Sequence, residues 1–198
     1  MGVGQSFAGI AGPLGQPSQI VPAEQVVFTT NGLGLVGAYP TIREYLRAGT
    51  AVTVISGFKS ADQVFWTSEG DKVQDLHTEY GDQLTLIYTT SDGTFGVQGS
   101  VTTALEGLLK TQGSTIERVM AFGPAFKIQA IAEQTKEYGV PCFASLNSIM
   151  VDAMGLCGAC MVPVIENGTL VRKHACIDGP EFDAHSVDWE KYLPRFTA

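Results

Sequence analysis

The chain has 198 residues and a formal net charge of −8, with 12 Lys and Arg against 20 Asp and Glu. This length suits one or two domains, and the acidic balance without a basic stripe argues against a nucleic-acid partner. No apolar run approaches the roughly 18 residues of a membrane span, and the N-terminus lacks a basic segment followed by an apolar one. We therefore expect a cytoplasmic protein with no membrane span.

Residues 24–147 alternate short apolar runs with longer amphipathic ones. The short runs predict five strands, at QVVFTT (25–30), AVTVIS (51–56), QLTLIY (83–88), RVMAFG (118–123) and PCFASL (141–146). The longer runs end on Gly and predict helices at YPTIREYLRAG (39–49), DKVQDLHTEYG (71–81), VTTALEGLLKTQG (101–113) and PAFKIQAIAEQTKEYG (124–139). This alternation predicts an α/β fold with a parallel five-stranded, Rossmann-like sheet covered by helices. A Gly/Pro-rich lead-in, residues 1–23, is expected to hold a strand and a linker.

A glycine-rich loop follows the first predicted strand. Gly32, Gly34 and Gly37 spell G-x-G-x-x-G between a strand and a helix, which predicts a dinucleotide site with its pyrophosphate at the helix N-terminus. A tight turn without a ligand is the alternative. Lys59 follows the second strand, where an NAD-binding unit would place Asp or Glu, and a cation there favours the 2'-phosphate of NADP. A solvated loop lysine explains Lys59 equally well.

Glycine-rich segments also follow the third and fourth predicted strands. They add Asp92, Gly93, Gly96, Gly99, Gly123 and Pro124 to the candidate nucleotide-binding residues. Ligands of such folds bind at the carboxyl ends of the strands, so we expect these residues to share one crevice. Because Gly34 is assigned to ligand contact, a bulky residue there is expected to abolish nucleotide binding without unfolding the protein.

Three of the four cysteines lie near the C-terminus, and they predict a metal site. Asp152, Cys157, Cys160 and Cys176 form D-x4-C-x2-C-x15-C, the plant-type [2Fe-2S] spacing with its first Cys replaced by Asp. A carboxylate oxygen can ligate iron, so four ligands are available. The intervening run MVPVIENGTLVRKHAC (161–176) predicts a hairpin turning at Asn-Gly, which returns Cys176 to the other two thiols.

A structural zinc site and inert buried thiols are the alternatives. Zinc fingers usually show two pairs of ligands, which favours the cluster over zinc. Cys142 lies in the fifth apolar run and is predicted to be a core residue of a strand. His174 and His185 are predicted to be surface residues or neighbours of the ligands rather than ligands themselves.

Most of the chain resembles the ferredoxin reductase-like electron-transfer subunits. These are the small subunits of NADH-dependent ferredoxin:NADP oxidoreductases and, more distantly, the electron-transfer subunits of dihydroorotate dehydrogenases. The resemblance rests on AGPLGQPSQI (11–20), DGTFGVQGSVT (92–102), FGP (122–124), SLNSIMVDAMGLCGAC (145–160) and ACIDGPEFDAH (175–185). It implies a flavin-binding barrel, then a ferredoxin reductase-like NAD(P)-binding domain at 24–147, then a [2Fe-2S] domain at 148–198. It also implies Asp152 as the first ligand of the cluster.

Two departures from the family pattern bear on function. Residues 1–23 correspond to no more than the last strand of the barrel, so FAD is expected only if another chain supplies the barrel. The family's G-G-G-x-G-x-A-P loop is TNGLGLVGAYP (30–40) here. Thr30 and Asn31 stand at its first two glycines and Val36 and Gly37 at Ala-Pro, which opposes close approach of a nicotinamide or a flavin.

Two functions are consistent with these patterns. In the first, the chain is an electron-transfer subunit, inactive alone, that passes electrons between NAD(P)H, flavin and a [2Fe-2S] cluster. Its expected partner is a larger flavin/iron-sulfur oxidoreductase subunit, with ferredoxin as a second candidate. In the alternative, the chain is a non-catalytic, cluster-bearing scaffold subunit whose nucleotide site has degenerated. No residue is assigned a catalytic role.

Overall fold

The computed structural model describes residues 2, 4–6, 8–9, 12–68, 70–146 and 149–196. Its strands and α-helices are, in chain order, β1 (Gln25–Asn31), α1 (Gly34–Arg47), β2 (Ala51–Phe58), α2 (Lys72–Tyr80), β3 (Leu84–Thr90), β4 (Val97–Gln98), α3 (Val101–Gln112), β5 (Ile116–Phe122), α4 (Ala125–Glu137), β6 (Cys142–Ser145), β7 (Met161–Glu166), β8 (Thr169–His174), β9 (Glu181–Asp183) and α5 (Trp189–Tyr192). Among the helices described, none has the length and apolar content needed to cross a membrane.

The main sheet has the strand order β4-β3-β2-β1-β5-β6-β9. All five predicted strands are confirmed, and they pair in parallel as expected. The predicted number of five strands is wrong, because the sheet has two more. Strand β4 pairs in parallel with β3 at one edge of the sheet, and β9 pairs antiparallel with β6 at the other edge. These two strands have two and three residues, too few to show the alternation that marks a strand in a sequence.

Helices cover both faces of the sheet, as predicted. On the central strand β1, Val27 packs in the core formed with α3 and α4, whereas Val26 and Phe28 pack in the core formed with α1 and α2. All three side chains are fully buried. A strand buried on both faces is continuously apolar instead of alternating, which explains the run QVVF.

Helix α1 begins at Gly34, five residues before the predicted start at Tyr39. The prediction began at the first residues with helical apolar spacing, and Pro40 lies inside the observed helix. The helix can begin at position 34 because glycine has no Cβ. A Cβ there would lie 2.6 Å from the backbone oxygen of Phe122 in β5, which is too close. Gly34 is therefore a packing position between α1 and the sheet, and the expectation that it serves only ligand contact is wrong.

The predicted C-terminal hairpin is confirmed. Strands β7 and β8 pair from Met161 with His174 to Glu166 with Thr169, around a turn at Asn167 and Gly168 that has positive φ at both residues. This positive φ is what favours Asn-Gly in two-residue hairpins. The hairpin shares a hydrophobic core with β6 and α4, and β9 joins the main sheet. The predicted domain boundary between 147 and 148 lies outside the described residues and stays a prediction.

The predicted lead-in strand is not found in the part of residues 1–23 that the structure describes. Positions 1, 3, 7, 10 and 11 of that prediction lie outside the described residues. The segment bonds with both halves of the molecule instead. The main-chain N–H of Gln16 donates to the carbonyl of Gly179 at 2.7 Å, and the carbonyl of Gln19 accepts a hydrogen bond from the Tyr45 hydroxyl in α1 at 3.0 Å.

We predict that Gly34→Ala lowers the free energy of unfolding by about 1–3 kcal/mol, because the new methyl group meets a backbone oxygen that cannot rotate away. Urea unfolding of the full chain measures the change. Gly37→Ala, in the same helix, is the matched control: its Cβ would find only Phe122 Cδ1, at 3.8 Å. It should retain or gain stability, since Ala favours a helix over Gly by about 1 kcal/mol. Equal stability of the two variants would contradict the packing role of Gly34.

Candidate functional site

The cysteine loop, residues 149–160, is an irregular segment that leads into β7. Ala153, Gly155 and Gly158 have positive φ, which curls the loop tightly. Two main-chain N–H groups hold candidate ligand atoms. Met154 donates to Asp152 Oδ1 at 2.9 Å, and Ala159 donates to Cys157 Sγ at 3.4 Å.

Two of the four predicted ligands, Cys160 and Cys176, are brought into direct contact. Pairing of β7 with β8 places Cys160 Sγ 3.2 Å from Cys176 Sγ. The pKa of the Asp152 carboxyl is lowered, first by the Met154 N–H and then by the Cys157 thiol. The pKa of Cys176 is raised, first by its hydrogen bond with Cys160 and then by burial.

This donor set fits a binuclear cluster. A [2Fe-2S] centre takes two protein ligands on each iron, so it calls for two pairs of donors. Two thiolates on a tetrahedral metal with bonds of about 2.3 Å are roughly 3.8 Å apart. The Cys160 and Cys176 sulfurs, now 3.2 Å apart, would need to move apart only slightly to reach that distance. Across the described ranges, no three Cys, His, Asp or Glu side chains lie close enough together to hold a metal ion as they stand.

The C-terminal segment also reaches the cysteine loop, through a residue that the sequence patterns did not reveal. The Arg195 guanidinium donates to the carbonyl oxygens of Ala159, at 2.7 Å, and of Met161. These carbonyls lie on either side of Cys160. Arg195 is 36 residues from Ala159 in the chain, and no local spacing signals such a contact.

Cys142 is a core residue of a strand, as predicted, whereas the prediction that His174 and His185 are not ligands stays a prediction. Cys142 lies in β6 with 1% exposure, and burial raises its pKa to about 12, so it stays a thiol. The His174 ring is beside the cysteine loop, with Nε2 3.8 Å from where a Cβ on Gly158 would lie. The His185 ring contacts the Thr135 hydroxyl of α4 at 3.0 Å.

A crevice of about 730 Å³ lies at the carboxyl ends of β1, β2, β3, β5 and β6. Seven of the predicted nucleotide-binding residues line it: Gly32, Gly34, Gly37, Lys59, Gly99, Gly123 and Pro124. The other three shape the loop before β4. Asp92 accepts a hydrogen bond from the Thr94 hydroxyl at 2.7 Å, Gly93 packs beside Gln98, and Gly96 leaves no room for a Cβ against the Tyr88 carbonyl.

The electrostatics of the crevice favour an anion. Helices α1, α3 and α4 all begin at its wall, and none has an acidic residue in its first turn. Their N-terminal N–H groups and dipoles attract phosphate groups. Lys59 and Lys127 add two cations to the lining, and Thr89 presents a buried hydroxyl that has no hydrogen-bond partner among the described residues. Lys127 was missed in the sequence, although its place in the turn after Gly123 and Pro124 is a usable signal.

Asn31 forms the floor of the crevice. A Cβ on Gly123 would lie 2.9 Å from Asn31 Cβ, and one on Gly57 would lie 3.3 Å from Asn31 Oδ1. The amide side chain therefore fills the gap between the ends of β2 and β5. A glycine at position 31 would leave that gap open.

Apolar side chains surround the cysteine loop and face solvent. They are Ile149, Met150, Val151, Met154, Leu156 and Ile177, with exposures from 42% for Ile177 to 83% for Leu156. A concentration of exposed large apolar residues around one loop is typical of an interaction surface.

Residues 147–188 match the family model described as the iron-sulfur cluster binding domain of dihydroorotate dehydrogenase B. A homolog of the electron transfer subunit of dihydroorotate dehydrogenase B (NAD(+)) from Thermotoga maritima is 34% identical over 97% of this chain and 62% of its own length. An uncharacterized protein in the adh 3' region of Clostridium beijerinckii is 33% identical over 97% and 63%. The chain thus spans about three fifths of these relatives.

A solved structure also resembles this protein over nearly the whole length of the present chain. It is a chain of an NADH-dependent reduced ferredoxin-NADP oxidoreductase, whose structure was reported for its insights into flavin-based electron bifurcation. The two share 33% sequence identity and a TM-score of 0.80, over 97% of this chain and 64% of that one.

We predict that thiol alkylation of the native, metal-free chain modifies Cys157 and spares Cys142. Cys157 is exposed, whereas the Cys142 thiol is buried and has a pKa of about 12, so it offers almost no thiolate at mildly alkaline pH. Peptide mass spectrometry after brief exposure to iodoacetamide measures both sites. Comparable labelling of the two thiols would show that β6 is not packed as described. Labelling in urea, where both must react, is the control.

Proposed function

Because the chain belongs to the family of dihydroorotate dehydrogenase B electron-transfer subunits, we propose that it carries single electrons through a [2Fe-2S] cluster within an oxidoreductase complex. The observation that supports this most is the contact of Cys160 Sγ with Cys176 Sγ at 3.2 Å, at the end of the loop that also carries Asp152 and Cys157. The proposed site of action is the cytoplasm.

The chain's own residues would hold and tune the cluster. Asp152 would replace a thiolate by a harder and weaker donor. The N–H groups of Met154 and Ala159 already bond to ligand atoms and would remain close to them, where hydrogen bonds adjust the reduction potential. When bound, the cluster supplies one-electron transfer. Loading requires the three thiols to lose their protons, so it releases protons.

The crevice is proposed to bind NAD(P)(H). Three helix N-termini without acidic residues would hold the pyrophosphate, and Lys59 would meet the 2'-phosphate, which favours NADP over NAD. Among the similar proteins, one is named for NAD(+) and another for both NADH and NADP, so the preference between the two nucleotides rests on the residues of this chain. FAD would take part only if another chain supplies a flavin-binding barrel.

The proposed partner is a larger flavin/iron-sulfur oxidoreductase subunit, with ferredoxin as the second candidate. The exposed apolar side chains of the cysteine loop support a partner that covers this loop. Removing water there would also lower the dielectric constant around the proposed cluster. Electron transfer benefits from this arrangement because the cluster would lie at the contact surface.

A second candidate function is a cluster-bearing scaffold subunit without nucleotide chemistry. Asn31 favours it, because this side chain fills the crevice floor between Gly57 and Gly123. The packing role of Gly34 points the same way, since part of the glycine motif is explained without a ligand. Nucleotide binding by the full chain distinguishes the two candidates.

We predict that the chain purified without air contains iron and acid-labile sulfide in equal amounts and that Asp152 is a ligand. Asp152→Cys should keep the cluster with a changed reduction potential and EPR spectrum, because a thiolate donates more strongly than a carboxylate. Asp152→Ala should make the cluster labile, with faster release of iron to a chelator. Cys142→Ala, which removes a buried thiol outside the loop, is the control and should behave as wild type.

Two results would contradict the cluster assignment. An Asp152→Ala protein with an unaltered spectrum and potential would require another fourth ligand, and His174 would be tested first. Zinc in place of iron and sulfide in the anaerobic wild-type protein would refute electron transfer through this site altogether.

We predict saturable binding of NADPH, with NADH weaker, in a fluorescence titration of the full chain. Lys59→Ala should weaken the binding of NADPH about tenfold and that of NADH little, because only NADPH carries the 2'-phosphate. A hydrogen bond to a charged group contributes about 1.5–3 kcal/mol. Lys110→Ala is the control, since Lys110 is exposed on α3 and pairs with Glu106. Asn31→Gly should strengthen the binding of both nucleotides, because it opens the floor of the crevice. If neither nucleotide binds even to Asn31→Gly, the scaffold function is favoured.

A further inference from the structure

A short C-terminal clamp, residues 189–196, ends beside the cysteine loop. It consists of α5 and a 3-10 turn from Leu193 to Phe196. The Asp188 carboxylate caps α5 by accepting a hydrogen bond from the Lys191 N–H at 3.0 Å. The clamp therefore has a defined start, set by the same aspartate that begins its helix.

Aromatic packing fixes the clamp on the protein. The Tyr192 ring is 1% exposed and lies 5.8 Å from the Trp189 ring and 4.9 Å from the Phe196 ring, centroid to centroid. The Trp189 indole N–H donates to the carbonyl of Ala184 at 2.9 Å, next to β9. Arg195 lies inside this packed segment, so its guanidinium is held rather than free to sample solvent.

The guanidinium binds main-chain atoms on both sides of a predicted ligand. One nitrogen donates to the carbonyl of Ala159 and the other to the carbonyl of Met161, so the fork spans Cys160. The N–H of Ala159 in turn donates to Cys157 Sγ. One cation thus contacts the short stretch of main chain that joins two of the candidate thiolates.

We infer that Arg195 is a positioning residue for Cys160 and a fixed positive charge that raises the reduction potential of the [2Fe-2S] cluster. The inference rests on the proposed function. Reduction adds one negative charge to the cluster, and a cation held nearby in a partly buried site stabilises the reduced form more than the oxidised one. Two carbonyl contacts require the planar guanidinium fork, which a lysine ammonium cannot reproduce.

The test separates the charge from the fork in the full, anaerobically loaded chain. Arg195→Met removes both, and it should lower the equilibrium constant for reduction about tenfold, equivalent to about 59 mV for one electron, in an EPR-monitored redox titration. Arg195→Lys keeps the charge, so its potential should shift much less while its EPR lines broaden. Lys191→Met, which removes an exposed cation from the same segment without touching the loop, is the control and should stay near the wild-type potential.

Amide hydrogen exchange of the metal-free proteins supplies a readout that needs no cluster. Both Arg195 variants should exchange faster at 159 and 160, and Lys191→Met should not. If Arg195→Met leaves both the amide exchange and the reduction potential unchanged, the inference is overturned but the proposed function is not. A shift in potential as large in Lys191→Met as in Arg195→Met would also overturn it. A wild-type chain that holds no iron and sulfide would refute the proposed function and this inference together.

Discussion

The register of the β7–β8 hairpin is the constraint on which the candidate iron-sulfur site depends. Met161 pairs with His174, and the N–H of Ala175 donates to the carbonyl of Cys160 at 3.0 Å. This pairing places Cys176 beside Cys160, although fifteen residues separate them. A slip of one residue would turn every side chain of the strand to the opposite face and part the two thiols. The Asn-Gly turn protects the register by fixing the loop length.

Much of the fold could be predicted because its signals are local. The five main strands are rich in apolar residues, and the helices between them carry apolar residues at helical spacing, so both types of element stand out in single stretches of sequence. The cysteine spacing is likewise local from Asp152 to Cys160. Strands β4 and β9 were missed because so few residues form them. The start of α1 was missed because its first turn comes from the glycine-rich segment, and Gly34 packs there against the backbone of Phe122, a contact between distant segments.

Sequence patterns could not reveal contacts between segments that are distant in the chain. Arg195 resembles any exposed C-terminal arginine in the sequence, and only the packing of Trp189 and Tyr192 brings it to Ala159. Lys127 belongs to the crevice because α4 begins where β5 ends. Asp92, Gly93 and Gly96 also follow a strand, and their groups shape the loop itself, so their assignment to nucleotide binding stays a prediction.

The two candidate sites meet at the end of β6. Ser145 lines the crevice and pairs with Glu181 of β9, and the next residue, Leu146, donates its N–H to the carbonyl of Pro180. The segment from 176 to 183 therefore joins a proposed cluster ligand to the edge of the main sheet. This short covalent route, held to β6 by β9, helps to set how the two candidate sites are placed.

The central strand β1 gives the molecule an internal reference for its own stability. It is hydrogen-bonded to β2 on one side and β5 on the other, and its side chains are buried on both faces. Amides in such a strand become accessible only when the whole domain opens, whereas those of an irregular loop open locally at a lower free energy. A single exchange experiment thus reports global unfolding at Val27 and local loosening at the cysteine loop. Damage confined to the cysteine loop can be told apart from loss of the fold within one sample.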